Sequence, residues 1–230
     1  MQGHLSHATM GVPMPGKTEI STPHAPPRKA SREMRRQQFI EATIATLARN
    51  GYARTTLTEV ASTAGLSHGL IIFHFENKEK LLTETLVHLA REYRDNWTKA
   101  LAAAPARPAA QLEALIRADF VPAICNAGRL GAWSALWGEI QSRPMYRAHG
   151  AEFDLEYAEA IERLCGALIA EGGYPFDIEA VARVVRVTLE GLWLELMNAV
   201  EPYPIEEALS AMFQLAMAFF PQHFDKKGAL

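Results

Sequence analysis

From Phe39 onward, apolar residues recur along the chain at spacings of three and four, and no stretch sustains an alternation of period two. That pattern predicts helices separated by short breaks, and so an all-α protein. The first helix is expected over about 32–49, with Phe39, Ile40, Thr43, Ile44 and Leu47 facing inward. Ser31 would cap it and Asn50-Gly51 would stop it. A short helix follows Thr56, with Leu57, Val60, Ala61 and Ala64 on one face, and another runs from Ser67 to His74. Asn77 caps a long helix over 78–103, and an Ala/Pro-rich link occupies 102–108. Further helices are expected over about 109–126, 130–141, 145–171, 178–200 and 205–220. Gly172-Gly173, Asp177, Pro202 and Pro204 supply the last breaks and caps. Residues 1–29 are rich in Gly, Pro, Ser, Thr and His without apolar periodicity, which predicts a disordered tail. The expected organisation is therefore a tail (1–29), a three-helix unit (30–77) and a helical body (78–230).

Two helices depart from the one-sided pattern. Val181, Val184, Val185, Leu189, Leu192, Trp193, Leu196 and Met197 cover more than one face, as do the apolar residues from Ile205 to Phe220. A helix apolar nearly all round is buried on two sides. One side is the chain's own core. The other predicts a second copy, packed as a four-helix interface across a two-fold axis through Leu209, Met212, Phe213 and Ala216. A deep monomer core would give the same pattern.

The stretch 56–78 carries two helix starts about a tight turn. Thr56-Leu57-Thr58-Glu59 is a capping box, Gly65 suits a left-handed helix end, and Ser67 restarts the chain. Two short helices around a Gly-containing turn form a helix-turn-helix, whose second helix enters the major groove of DNA. Leu66, Ile71 and Phe75 would face inward. Ser67, His68, Gly69, Leu70, Ile72 and Phe73 would face the groove, with His74 close to the backbone. A helical hairpin packed on a neighbour has the same spacing. Charge changes the picture. The net charge of −3 and pI of about 6.2 argue against nucleic acid. Yet Arg28 to Arg54 holds seven basic and two acidic residues, whereas the chain from Leu81 holds 13 basic and 20 acidic. A basic head on an acidic body suggests nucleic acid at one end. Arg32, Arg35, Arg36 and Lys78 are the expected phosphate contacts, Thr56 is a further expected DNA-binding residue, and Arg28, Lys29 and Arg32 would serve an arm in the minor groove.

The same residues carry a resemblance. Thr56, Val60-Ala61, Ala64-Gly65-Leu66-Ser67, Gly69 and Phe75-Glu76-Asn77-Lys78 resemble the DNA-binding domain of the tetracycline-repressor (TetR) family of one-component regulators, and the helix from Ser31 completes its three-helix unit. Ile72 departs from the tyrosine common at that position, which often touches backbone or base. The resemblance implies a homodimeric repressor, a palindromic double-stranded DNA operator and a small-molecule effector in the body. The body resembles a choline-responsive branch of the family through Ala132-Trp133-Ser134-Ala135-Leu136-Trp137, Arg143-Pro144-Met145-Tyr146-Arg147 and Glu190-Gly191-Leu192-Trp193-Leu194. This implies a choline-like quaternary ammonium effector. Phe120, Trp133, Trp137, Tyr146 and Trp193 are the candidate contacts, because an aromatic face attracts a cation through its quadrupole. Glu139 or Glu190 would supply counter-charge, and the end of the helix over 78–103 would transmit the change. A different effector, or a helical ligand-binding module without DNA function, are the alternatives.

Enzyme chemistry has no constellation to stand on. There is no G-x-S-x-G, P-loop, G-x-G-x-x-G or H-E-x-x-H, and the histidines scatter. Cys125 and Cys165 lack metal or disulfide spacing. No catalytic residue, metal or cofactor is expected. Without a signal peptide or a membrane-length apolar run, the expected location is the cytoplasm, with no membrane partner.

Overall fold

A computed structural model describes residues 28–140, 144–199 and 204–230, with side chains over 31–139, 153–199 and 204–230. The described elements are α1 (Arg28–Arg54), α2 (Leu57–Ala64), α3 (His68–Phe75), α4 (Lys78–Ala103), α5 (Pro108–Asp119), α6 (Ala127–Ile140), α7 (Pro144–Gly172), α8 (Ile178–Asn198) and α9 (Ile205–Phe219). A two-residue hairpin, β1 (Phe224–Asp225) with β2 (Gly228–Ala229), follows them. The architecture is all-α, as the periodicity predicts. The tail expectation falls on residues outside the description, save Arg28 and Lys29, whose backbone already belongs to α1.

Several boundaries differ: α1 already begins at Arg28, so Ser31 lies inside it rather than capping it, and α6 begins at Ala127 rather than 130. Gly51, at φ 71°, ψ 175°, is non-helical and interrupts α1 after Asn50 as the sequence predicts, with a short further turn running on to Arg54. α5 stops at Asp119 instead of reaching 126. The chain then turns through Pro122, and Asn126 becomes a cap: its Oδ1 accepts from Arg129 N at 3.0 Å and opens α6. α8 ends at Asn198, short of Val200.

Two cores form. The N-terminal core joins Phe39, Ile44 and Leu47 of α1, Val60 of α2, Ile71 and Phe75 of α3, and Leu81, Leu82, Leu86 and Leu89 of α4. The body core gathers α5, α7, α8 and α9 around Trp97 of α4. α4 therefore passes from one core into the other. So does α6: Ala132 and Leu136 are buried in the N-terminal core, and Trp133 packs on both cores.

The approach of α6 to α1 is tight at Gly131. A Cβ on Gly131 would stand 3.0 Å from Ala48 Cβ and 3.1 Å from its Cα. Gly131→Val should therefore push α6 off α1 at a cost of about 1–3 kcal/mol, the usual penalty of overpacking. A fall in melting temperature checks this. An unchanged melt would mean that the helices separate freely.

Candidate nucleic-acid interface and ligand cavity

The helix-turn-helix forms by the local bonds its sequence specifies. Thr56 Oγ1 accepts from Glu59 N at 3.2 Å, and Gly65 takes φ 65°, ψ 29° at the end of α2. Leu66 N returns to Ala61 O at 3.0 Å, and Ser67 Oγ accepts from Leu70 N at 3.3 Å to start α3. Ile71 and Phe75 are fully buried and anchor α3 on α1. Thr56, Ser67, His68, Gly69, Ile72 and Phe73 are exposed, and Leu70 is half-buried. Phe73 is 65% exposed, with the Arg32 guanidinium 5.4 Å from its ring centroid. A large apolar ring left on a short exposed helix suits contact with a thymine methyl group.

Three expected DNA contacts sit differently. His74 is 7% exposed, its ring 5.9 Å from Phe39 and 6.2 Å from Phe75. Burial first, then Arg32 and Arg36, push its pKa down, so it is a neutral core residue rather than a phosphate ligand. The reason is register: on a helix this short, the position next to buried Phe75 also turns inward. Lys78 Nζ donates to Tyr52 O at 2.9 Å and Ala53 O at 3.5 Å, and lies 4.7 Å from the Tyr52 ring centroid. Its charge closes the carbonyl end of α1, so it is not the outward phosphate clamp the sequence suggested. Arg36 pairs with Glu84 and stacks on Phe75 at 4.9 Å. Arg35, bonded to Gln38 at 2.9 Å, stays at the surface edge.

In the body a cavity of about 70 Å³ opens between α4, α5, α6, α7 and α8. At about 10–15 Å³ per water it holds roughly half a dozen water-sized groups. Tyr93, Trp133, Trp137, Tyr157 and Trp193 supply its aromatic wall, with Asp119 at the back and Asp154, Arg186 and Glu190 around it. Trp133 and Trp137, one turn apart on α6, have centroids 5.8 Å apart. Tyr93 lies 5.3 Å from Tyr157 and 5.4 Å, edge-on, from Trp193. Tyr93 OH donates to Asp119 Oδ1 at 3.0 Å, Tyr157 OH donates to Oδ2 at 2.6 Å, and Trp193 Nε1 donates to the Asp119 carbonyl at 3.0 Å. Burial pushes the Asp119 carboxyl up to about 7, against the two phenols, which favour its charged form. Burial and Asp119 push both tyrosines well above the usual phenol range.

Of the expected ligand contacts, the structure brings Trp133, Trp137 and Trp193 to one cavity. Phe120 is buried in the body core and does not line it. Tyr146 lies outside the described side chains. Glu190 is on the cavity wall, and Glu139 is not among its described lining residues. Tyr93, Asp119 and Tyr157 were missed, since each reads alone as an ordinary helical residue.

Three of the four expected dimer contacts are corrected. Met212, Phe213 and Ala216 are buried within the protomer, and Leu209 is half-buried there. They belong to the body core, held against α5, where Arg117 lies over Phe213 at 4.7 Å. The apolar surface left uncovered is a different stripe. Val184, Val187, Gly191 and Leu194 are exposed at helical spacing along α8, and Ser210, Ala211 and Ala218 are exposed on α9.

Among the described residues no group of acidic, His and Cys side chains could hold a metal ion, and no helix is long and apolar enough to cross a membrane. Comparison with known proteins agrees with the fold. Residues 39–85 match the family model of bacterial regulatory proteins of the tetR family, and residues 108–221 match that of the BetI-type transcriptional repressor C-terminal region. The HTH-type transcriptional regulator BetI of Paraburkholderia xenovorans is 30% identical over 186 residues, covering 80% of this chain and 92% of that protein. A transcriptional regulator from Pseudomonas aeruginosa PAO1 superposes with TM-score 0.72 at 26% identity, over 84% of this chain and 95% of that one. A regulator from Saccharomonospora viridis, solved in complex with choline, superposes with TM-score 0.69 at 18% identity, over 78% and 94%. The protein is a DNA-binding regulator rather than an enzyme. The chain belongs to the TetR family of bacterial transcriptional regulators, with a C-terminal half of the BetI type.

Proposed function

We propose that the protein is a homodimeric repressor of a palindromic operator, released by a compact choline-like cation bound between Trp133, Trp137, Trp193 and Tyr93. The single observation that carries this reading is the position of α6. Trp133 and Trp137 form one wall of the cavity, while Ala132 and Leu136 of the same helix are packed in the N-terminal core. A ligand that wedges the tryptophans therefore acts on the helix that holds the DNA-binding unit. A quaternary ammonium offers no hydrogen-bond donor, so aromatic faces are its natural partners, each contributing about 0.5–2 kcal/mol depending on desolvation. The choline complex of the structurally similar regulator supports the same ligand class. Two half-sites need two recognition helices, and the exposed α8 stripe with the small face of α9 is the surface on which two protomers would pair.

The test is release. Operator sequences are selected from a random duplex pool, and choline is titrated against the complex by fluorescence anisotropy. Choline should lower operator affinity at least about tenfold, the size of a typical allosteric coupling. Trp137→Leu keeps bulk but loses the π face, and should need about tenfold more choline. Operator binding that choline leaves unchanged would remove the cation assignment while leaving the regulator in place.

A further inference from the structure

The cavity contains a group that its cation-binding role does not by itself require. Asp119 is 2% exposed and is the one buried carboxyl among the described residues. No described basic side chain pairs with it. Both of its oxygens are instead held by phenols from different helices, Tyr93 on α4 and Tyr157 on α7. It is also the last residue of α5, at the helix end whose exposed carbonyls disfavour negative charge. As a brace between three helices, an Asn would bond the same phenols without a buried charge to desolvate. An acid kept where it is costly, facing a cavity, marks a site that uses its charge.

Resting on the effector reading above, we propose that Asp119 is the buried counter-charge of the effector cation and that its proton leaves as the cation enters. The carboxylic acid gives its proton to solvent, the two phenols keep donating to the resulting carboxylate, and the ammonium takes the place of the lost charge balance. Effector binding is thereby coupled to pH. The other groups that face Asp119 do not do this task. Tyr93 and Tyr157 stay protonated, their pKa values pushed up by burial. Cys125, in the turn after α5, is pushed up to about 11 by burial and by Asp119, and stays a thiol. On α8, Arg186 and Glu190 pair with each other at 2.7 Å. Asp154 on α7 is exposed at the rim, its pKa raised by partial burial and by Glu190. Among the described residues of α6, Trp133 and Trp137 line the cavity.

The experiment measures choline binding to the full-length protein by calorimetry at pH 6, 7 and 8, with 3,3-dimethylbutan-1-ol as the neutral isostere. Choline does not titrate in this range. If only the charged carboxylate accepts the cation, affinity falls about tenfold from pH 8 to pH 6, one decade per unit below the pKa. Binding enthalpies in buffers of different ionisation heat should show a proton released. Asp119→Asn should bind choline at least tenfold more weakly at pH 8, with no pH dependence. Asp154→Asn should keep the pH dependence. Equal choline affinity at pH 6 and pH 8, without proton release, overturns the role of Asp119 while leaving a cation site. A pH dependence that vanishes in Asp154→Asn and survives in Asp119→Asn overturns it as well. An isostere that binds as tightly as choline overturns the cation reading itself. If Asp119→Asn does not fold, proton release by the unaltered protein still decides.

Discussion

Val187→Glu combined with Leu194→Glu is expected to leave the protomer folded, take the dimer apart and abolish operator binding. Both side chains already face solvent in the single chain, with Val187 52% and Leu194 42% exposed, so a carboxylate there costs the protomer little. Across a two-fold axis each substitution occurs twice, placing unpaired charges in an apolar interface at several kcal/mol per ion. A loss of about 4 kcal/mol or more weakens a dimer at least about a thousandfold, turning a nanomolar association into a micromolar one. A single half-site should then hold the operator at least about a hundredfold more weakly at the same salt. Phe213→Glu should behave in the opposite order. At 3% exposure within the body core, its charge would unfold the protomer before any interface is tested. Sedimentation and circular dichroism separate the two outcomes. If the double variant associates as tightly as the unaltered protein, the α8 stripe is not the interface.

The contrast between those variants shows what the sequence carries and what it leaves out. Local signals were legible because they act over three or four residues. Thr56, Ser67, Asn77 and Asp177 all accept the backbone bonds that their cap positions require. Gly65 has the left-handed conformation its place after α2 demands. Periodicity also showed that α8 and α9 carry apolar residues on more than one face, but not which face meets the chain's own core. On α9, Ala208, Met212, Phe213 and Ala216 turn into the body core, whereas the sequence expectation set Met212, Phe213 and Ala216 toward a second copy. The cavity was half legible for a related reason. Trp133 and Trp137 advertise a shared face by their spacing, whereas Tyr93, Asp119 and Tyr157 meet only through the packing of three helices. Lys78 and His74 have the chemistry of DNA contacts and the surroundings of structural groups, which no linear pattern distinguishes.

Arg129→Leu is expected to lower the melting temperature and to uncouple the two halves of the molecule. Arg129, one turn before Trp133 on α6, donates to Glu41 of α1 at 2.9 and 3.2 Å and to Glu92 of α4 at 2.9 Å through two nitrogens. One guanidinium thus ties the cavity helix to both elements that carry the DNA-binding unit, with a planar fork that lysine cannot reproduce. Removing it leaves two partly buried carboxylates side by side. Breaking a buried pair costs about 3–5 kcal/mol, and the partial exposure here reduces that to about 2–3 kcal/mol. For a chain of this length the melting temperature should fall by about 5–10 °C. The effect carries a pH signature. Burial alone would raise the Glu41 pKa, but Arg129 foremost, with His88 and Gln37, holds it below its ordinary value of 4.5. A carboxyl whose folded pKa is depressed contributes stability above its unfolded value and loses it as pH falls through the folded one. The difference between the two proteins should therefore be full at pH 7 and shrink below pH 4.5. Choline should still bind Arg129→Leu within about threefold, because no cavity wall is touched, while its power to release the operator falls by most of the typical 1–3 kcal/mol of coupling. Unchanged melting together with normal release would show that α6 acts on the DNA-binding unit through its packing at Gly131, Ala132 and Leu136 without the Arg129 tie.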